Sequence, residues 1–83
     1  MKRTVDEKVK YNHGQKTPFS WGYLWGVRAY RRYPKANAAE KKRLLAEMDD
    51  YRNTAVNGKG KSRECGKGYM CALRDCANER KRK

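Results

Sequence analysis

The chain has 83 residues, of which 22 are Lys or Arg and nine are Asp or Glu, for a formal net charge of +13. That length bounds it to one small domain with a single core, and no apolar run nears the ~20 residues needed to span a bilayer. Met1-Lys2-Arg3 leads into polar residues rather than a secretory apolar stretch, while six Tyr, two Trp and one Phe exceed what disordered chains carry. A soluble, cytoplasmic, partly helical protein is expected.

Residues 1–19 carry five bases and two acids, and Gly14 and Pro18 interrupt them. Thr4 and Glu7 have capping-box spacing, which supports one or two turns after Thr4. Val5 and Val9 are the only apolar anchors those turns would have. The segment is expected to be a flexible or partly ordered basic arm.

Residues 20–33 predict the first strong helix. Ser20 has the chemistry of an N-cap, Phe19 before it is placed to staple onto Leu24, and Pro34 discourages continuation past Tyr33. Trp21, Leu24 and Trp25 share one side, and Tyr23, Val27 and Tyr30 a neighbouring stripe. Gly22 and Gly26, with Ala29 one turn on, form a smooth strip for close approach of another helix. The segment is too short and too basic for a membrane dimer motif, so the strip predicts tight packing in water.

Residues 37–56 predict the second helix. Asn37 and Glu40 have cap and N3 spacing, and Asn57-Gly58 supplies the stop. Leu44, Leu45, Met48, Tyr51 and Ala55 make one apolar stripe, and Leu44, Met48 and Tyr51 of it are expected to form the core with Leu24 and Trp25. Lys41, Lys42, Arg43, Glu47, Asp49 and Asp50 read as a solvated face.

Gly58-Lys59-Gly60-Lys61 is a flexible basic turn that lacks the glycine spacing of a phosphate-binding P-loop. A third helix is expected within 62–78, although Gly66 and Gly68 each weaken its first turns by roughly 1 kcal/mol. Cys65, Tyr69, Ala72 and Cys76 fall on one stripe of it, bordered by Leu73. A basic tail, residues 79–83, follows. The fold class is therefore all-α: a three-helix domain over 20–78, with the arm before it and the tail after it.

Three cysteines and His13 raise the question of a metal. Zinc sites bring cysteines together in C-x₂₋₄-C pairs, whereas the spacings here are C-x₅-C and C-x₄-C within a helical segment. Cys65 and Cys76 would lie about 16 Å apart along the axis, with Cys71 pointing elsewhere. Free thiols, no cofactor and no metal are expected. Catalysis finds no constellation either: the single His has no evident partner and the acids are interspersed with bases.

The charge is unevenly spread. Residues 1–19 sum to +3, 20–35 to +4, 36–57 to zero and 58–83 to +6. The sharpest cluster is Arg28, Arg31, Arg32 and Lys35, acid-free, with Tyr30 and Tyr33 interleaved. Cations at a helix C-terminus complement the macrodipole, but four exceed that need. With Lys59 and Lys61 of the turn and Arg80, Lys81, Arg82 and Lys83 of the tail, they are the candidate binding residues. No homeodomain, zinc-finger, RRM or basic-zipper signature is present. The expected function is a non-enzymatic protein that binds DNA or RNA mainly through phosphates. The alternative is a phage-type or mobile-element regulator that binds an acidic surface of a nucleic-acid enzyme, such as a host RNA polymerase or nuclease, and inhibits it.

The stripe separates the cysteines. Cys71→Ser is expected to leave the denaturation midpoint nearly unchanged, whereas Cys76→Ser buries a hydroxyl and lowers it. Stoichiometric zinc by elemental analysis, with unfolding by a chelator, would contradict this placement.

Overall fold

The computed structural model describes residues 4–81, which form four helices and one short connecting turn. They are α1 (Val5–Gln15), α2 (Pro18–Arg32), a 3₁₀ turn (Tyr33–Lys35), α3 (Ala38–Asn57) and α4 (Lys61–Lys81). All-α holds, with four helices in place of three. Among the described residues no helix is long and apolar enough to cross a membrane.

The first correction is α1. The capping box of Thr4 and Glu7 forms, and the helix then runs through Gln15 instead of stopping after two turns. Val5 is buried as expected of an anchor. Polar contacts do the rest: the Val5 amide donates to Glu79 at 2.9 Å, Lys8 pairs with Asp75 at 3.0 Å, and Ser20 donates to Asn12 at 2.8 Å in a buried pair. A hydroxyl–amide pair taken out of water on both sides fixes α1 against α2 without apolar mass.

The second correction is the start of α2. Thr17, not Ser20, caps it, accepting from the Ser20 amide at 3.2 Å, and Pro18 occupies the first turn where its missing N–H costs nothing. Phe19 consequently lies inside the helix rather than before it. For α3 the cap is the expected one, Asn37 accepting from the Glu40 amide at 2.9 Å. Residues 65–70 are helical: α4 continues through Gly66 and Gly68, and Glu79–Lys81 belong to it rather than to a tail. Arg82 and Lys83 lie outside the described residues.

Those glycines are placed by packing. A Cβ on Gly22 of α2 would run into the Cys65 carbonyl of α4, and one on Gly68 of α4 into the Phe19 carbonyl of α2. Gly26 faces Ala72 between them. The contacts advance in the same direction along both helices, so α2 and α4 run parallel in near-backbone contact. They are also reciprocal, which puts an approximate two-fold axis between the helices. The sequence carries the same repeat, Gly22-Tyr23-Leu24 with Gly26 and Arg28 against Gly68-Tyr69-Met70 with Ala72 and Arg74. Two antiparallel helical hairpins, α1–α2 and α3–α4, thus join through equivalent faces.

Tyr23 and Tyr69, equivalent in this repeat, are the largest fully buried side chains. Each hydroxyl donates to a carboxylate: Tyr23 to Asp75 at 3.0 Å, Tyr69 to Glu47 at 2.9 Å. Burial first, and the neighbouring carboxylate second, raise both phenols well above their usual range, so both remain donors. Tyr51 stacks on Tyr69 with centroids 4.1 Å apart. Val5, Val27, Ala72 and Cys76 complete the core, and burial pushes the Cys76 thiol up to about 11.

This core differs from the expected one. Trp25 is exposed, Leu24 half-buried, and no residue of α3 is fully buried; Leu44, Met48 and Tyr51 are half-buried and Leu45 is 52% exposed. The physical reason is the glycine strip. Once Gly22 and Gly26 face α4, the adjacent positions Tyr23 and Val27 turn inward and the tryptophans turn out.

Gly22→Ala forces the hairpins apart and is expected to cost about 1–3 kcal/mol, as overpacking does. Gly14→Ala is the control, since nothing lies within 4 Å of its added methyl, and chemical denaturation should show it neutral or stabilised. Asp75 supplies the pH dependence. Partial burial works to raise its pKa, but hydrogen bonds from Lys8 and Tyr23 outweigh it and the net shift is downward. Its contribution is full above the unfolded value of about 4 and is lost as pH falls through the lower folded value. Asp75→Asn should flatten the fall in stability measured on acidification.

Candidate nucleic-acid interface

With α2 committed to α4 on one side, Trp21, Trp25, Arg28 and Arg32 line its opposite side at helical spacing. Trp21 is 56% and Trp25 43% exposed. The Arg28 guanidinium sits over the Trp25 ring, 5.3 Å from its centroid. A cleft opens on each side of this stripe. The cleft toward α3 has a volume of about 530 Å³ and is lined by Trp25, Arg28, Arg32, Glu40, Arg43, Leu44 and Glu47. The cleft toward α1, about 360 Å³, is lined by Val9, His13, Trp21, Leu24, Trp25, Val27, Arg28 and Arg31.

The arginine cluster is divided by its partners. Arg31 pairs with Asp6 of α1 at 2.7 Å, and that hydrogen bond, against slight desolvation, raises its pKa. Arg32 grips Glu40 of α3 with two nitrogens, at 2.7 and 3.2 Å. The Arg32 hydrogen bonds draw the Glu40 carboxyl below its usual range. These two arginines tie the flanking helices to α2. Arg28 and Lys35 make no ion pair among the described residues, and neither does Arg43 across the cleft.

Tyr30 and Tyr33 are not free rings. Tyr30 is half-buried and packs on the core, and Lys41 lies over the Tyr33 ring at 5.4 Å. Arg80 reaches the end of α2, lining a cleft of about 410 Å³ with Tyr30, Arg31, Pro34, Lys35, Cys76 and Glu79. Lys81 ends α4 on the same side. Lys59 and Lys61 lie elsewhere: Lys61 opens the 21-residue helix that Lys81 closes, about 30 Å away. The structure therefore brings Lys35 and Arg80 together at the C-terminal end of α2, leaves Arg28 on the side of α2 away from α4, and sets Lys61 at the far end of α4, with Lys59 in the turn before it.

Three members of the site are not evident from the sequence. Aromatic size assigns Trp25, with Trp21 on the same side, to the interior, and charge alternation assigns Arg43 to a plain solvated face. The internal repeat is the signal that separates them: the positions in α4 that match Trp21 and Trp25 are Lys67 and Cys71. Neither tryptophan is something the shared packing face requires.

Acids are used between helices. Asp6, Glu40, Glu47, Asp75 and Glu79 each contact a different helix, through Arg31, Arg32, Tyr69, Tyr23 with Lys8, and the Val5 amide. These contacts engage five of the nine acids between helices, and the basic excess of the composition stays on the surface. Among the described residues no group of three or more His, Cys, Asp or Glu is placed to hold a metal ion, and Cys65, Cys71 and Cys76 are free thiols. No protein-family profile, curated protein or solved structure matches the chain.

Proposed function

We propose that the protein is a small non-enzymatic binder of DNA or RNA that grips the polyanion mainly through phosphates. The observation that carries this is the set of cations without an ion-pair partner, Arg28, Lys35 and Arg43, on or beside an α2 helix that contains no acid, while the two carboxylates of the cleft are engaged, Glu40 by Arg32 and Glu47 by the Tyr69 hydroxyl. Cations without such partners inside the protein are available to displace counterions from a phosphate backbone, the main source of affinity for a polyanion. Contacts of that kind carry no sequence information, so specificity is low. The free thiols suit a reducing cytoplasm.

The test replaces the cations that hold no carboxylate. Arg28→Ala, Lys35→Ala and Arg43→Ala together should leave the far-UV CD spectrum native, since none makes an ion pair within the described fold. Removing one phosphate contact lowers the salt slope on duplex DNA by about 0.9, so the triple variant should flatten it by roughly two to three. An unchanged slope would sink the proposal. So would absence of nucleic-acid binding at low salt together with nuclease-resistant capture of one acidic protein, which would assign the surface to a protein partner instead.

A further inference from the structure

We infer that this interface takes single-stranded nucleic acid, with unstacked bases laid against Trp21 and Trp25. The inference rests on the nucleic-acid reading above and names the form of the ligand. Three observations lead to it.

The first is the pair of exposed indoles itself. The inner faces of α2 and α4 repeat one another, yet where α2 exposes Trp21 and Trp25, α4 carries an exposed Lys67 and a half-buried Cys71 packed against the core. The fold therefore does not account for two large aromatic rings in water. Exposed aromatics interleaved with cations along one track are the elements of a single-strand platform, because every base offers a face to stack.

The second is spacing. Trp21 and Trp25 are one turn apart, about 6 Å along α2. Bases in a duplex rise about 3.4 Å per step and leave no room between them for a ring. Two rings at the helical spacing can both stack only on a strand whose bases are already apart.

The third is shape. A lone helix about 10–12 Å across fits the major groove, itself about 12 Å wide. α2 is flanked by α1 on one side and α3 on the other, with clefts rather than open solvent beside it. It cannot enter a groove without its neighbours. The cleft toward α3 instead offers Trp25 as a stacking wall, with Arg28 and Arg43 at its sides for the phosphates of the same strand and its two carboxylates engaged by Arg32 and Tyr69.

The chain contains two tryptophans and both lie in this stripe, so tryptophan fluorescence, excited selectively over the six tyrosines, reports on the site. The full chain is titrated with a single-stranded oligonucleotide and with a duplex of equal length. The single strand should quench tryptophan emission and bind more tightly than the duplex. Trp25→Ala should weaken single-strand binding roughly five- to a hundredfold, a larger loss than it causes in duplex binding. Trp25→Phe should restore part of that affinity, and Trp21→Ala serves the same purpose should Trp25→Ala not fold. Equal affinity for both forms, with neither tryptophan variant altering them, overturns the inference while leaving the phosphate-binding proposal intact. No binding of either form at low salt overturns both.

Discussion

The near-backbone contact between α2 and α4 governs the rest of the molecule. Parallel helices at such a distance have no room for side chains between them, so Gly22 and Gly68 remove the obstacle in a reciprocal arrangement, with Gly26 and Ala72 at its centre. The apolar mass of the core then lies to either side of the contact, in Tyr23 and Tyr69. Their rings are buried but their hydroxyls are not apolar, and each requires an acceptor. Asp75 and Glu47 supply those acceptors, and in doing so fix α1 and α3 through Lys8 and the Tyr51–Tyr69 stack. Packing at the centre thus dictates the polar contacts at the edge.

Charge follows from the same geometry. A flat molecule, 33 × 33 × 19 Å, has little interior in which to hide ionised groups. Carboxylates sit at the seams between helices, where hydrogen bonds from tyrosine, lysine, arginine and a helix N-terminus compensate their desolvation. Lysines and arginines have long stems and reach water from nearly any position. The positive excess is set by composition, 22 bases against nine acids, and because five of those acids are engaged between helices, some cations beside α2 are left without a carboxylate.

Much of the fold is legible in local signals. The Asn37–Glu40 cap, the stripe through Tyr69, Ala72 and Cys76, and the glycine strip on α2 each rest on one-turn chemistry. What escapes is tertiary. The α1 helix has two valines and is held by hydrogen bonds to residues distant in sequence, which no apolar periodicity reports. The rotation of α2 depends on taking the glycine strip as the buried centre. Counting aromatic size favours Trp25 inside, whereas close helix approach favours Tyr23. At the site, charge clustering locates Arg28 and Lys35, but partners on other helices decide that Arg31 and Arg32 are structural, and only folding brings Arg43 alongside.

The two-fold relation between the hairpins has a consequence for association. Each hairpin presents an approximate copy of the central glycine–tyrosine face, and the contacts there do not depend on whether the two halves come from one chain or from two. Exchange of hairpins between chains would reproduce every central contact, as in domain swapping. What ties the pairing to a single chain is the short connector from Tyr33 to Asn37, stiffened by Pro34. The Arg32–Glu40 fork spans that connector and closes it into a turn. One ion pair beside the proposed binding surface therefore also lies across the hinge at which such an exchange would have to open.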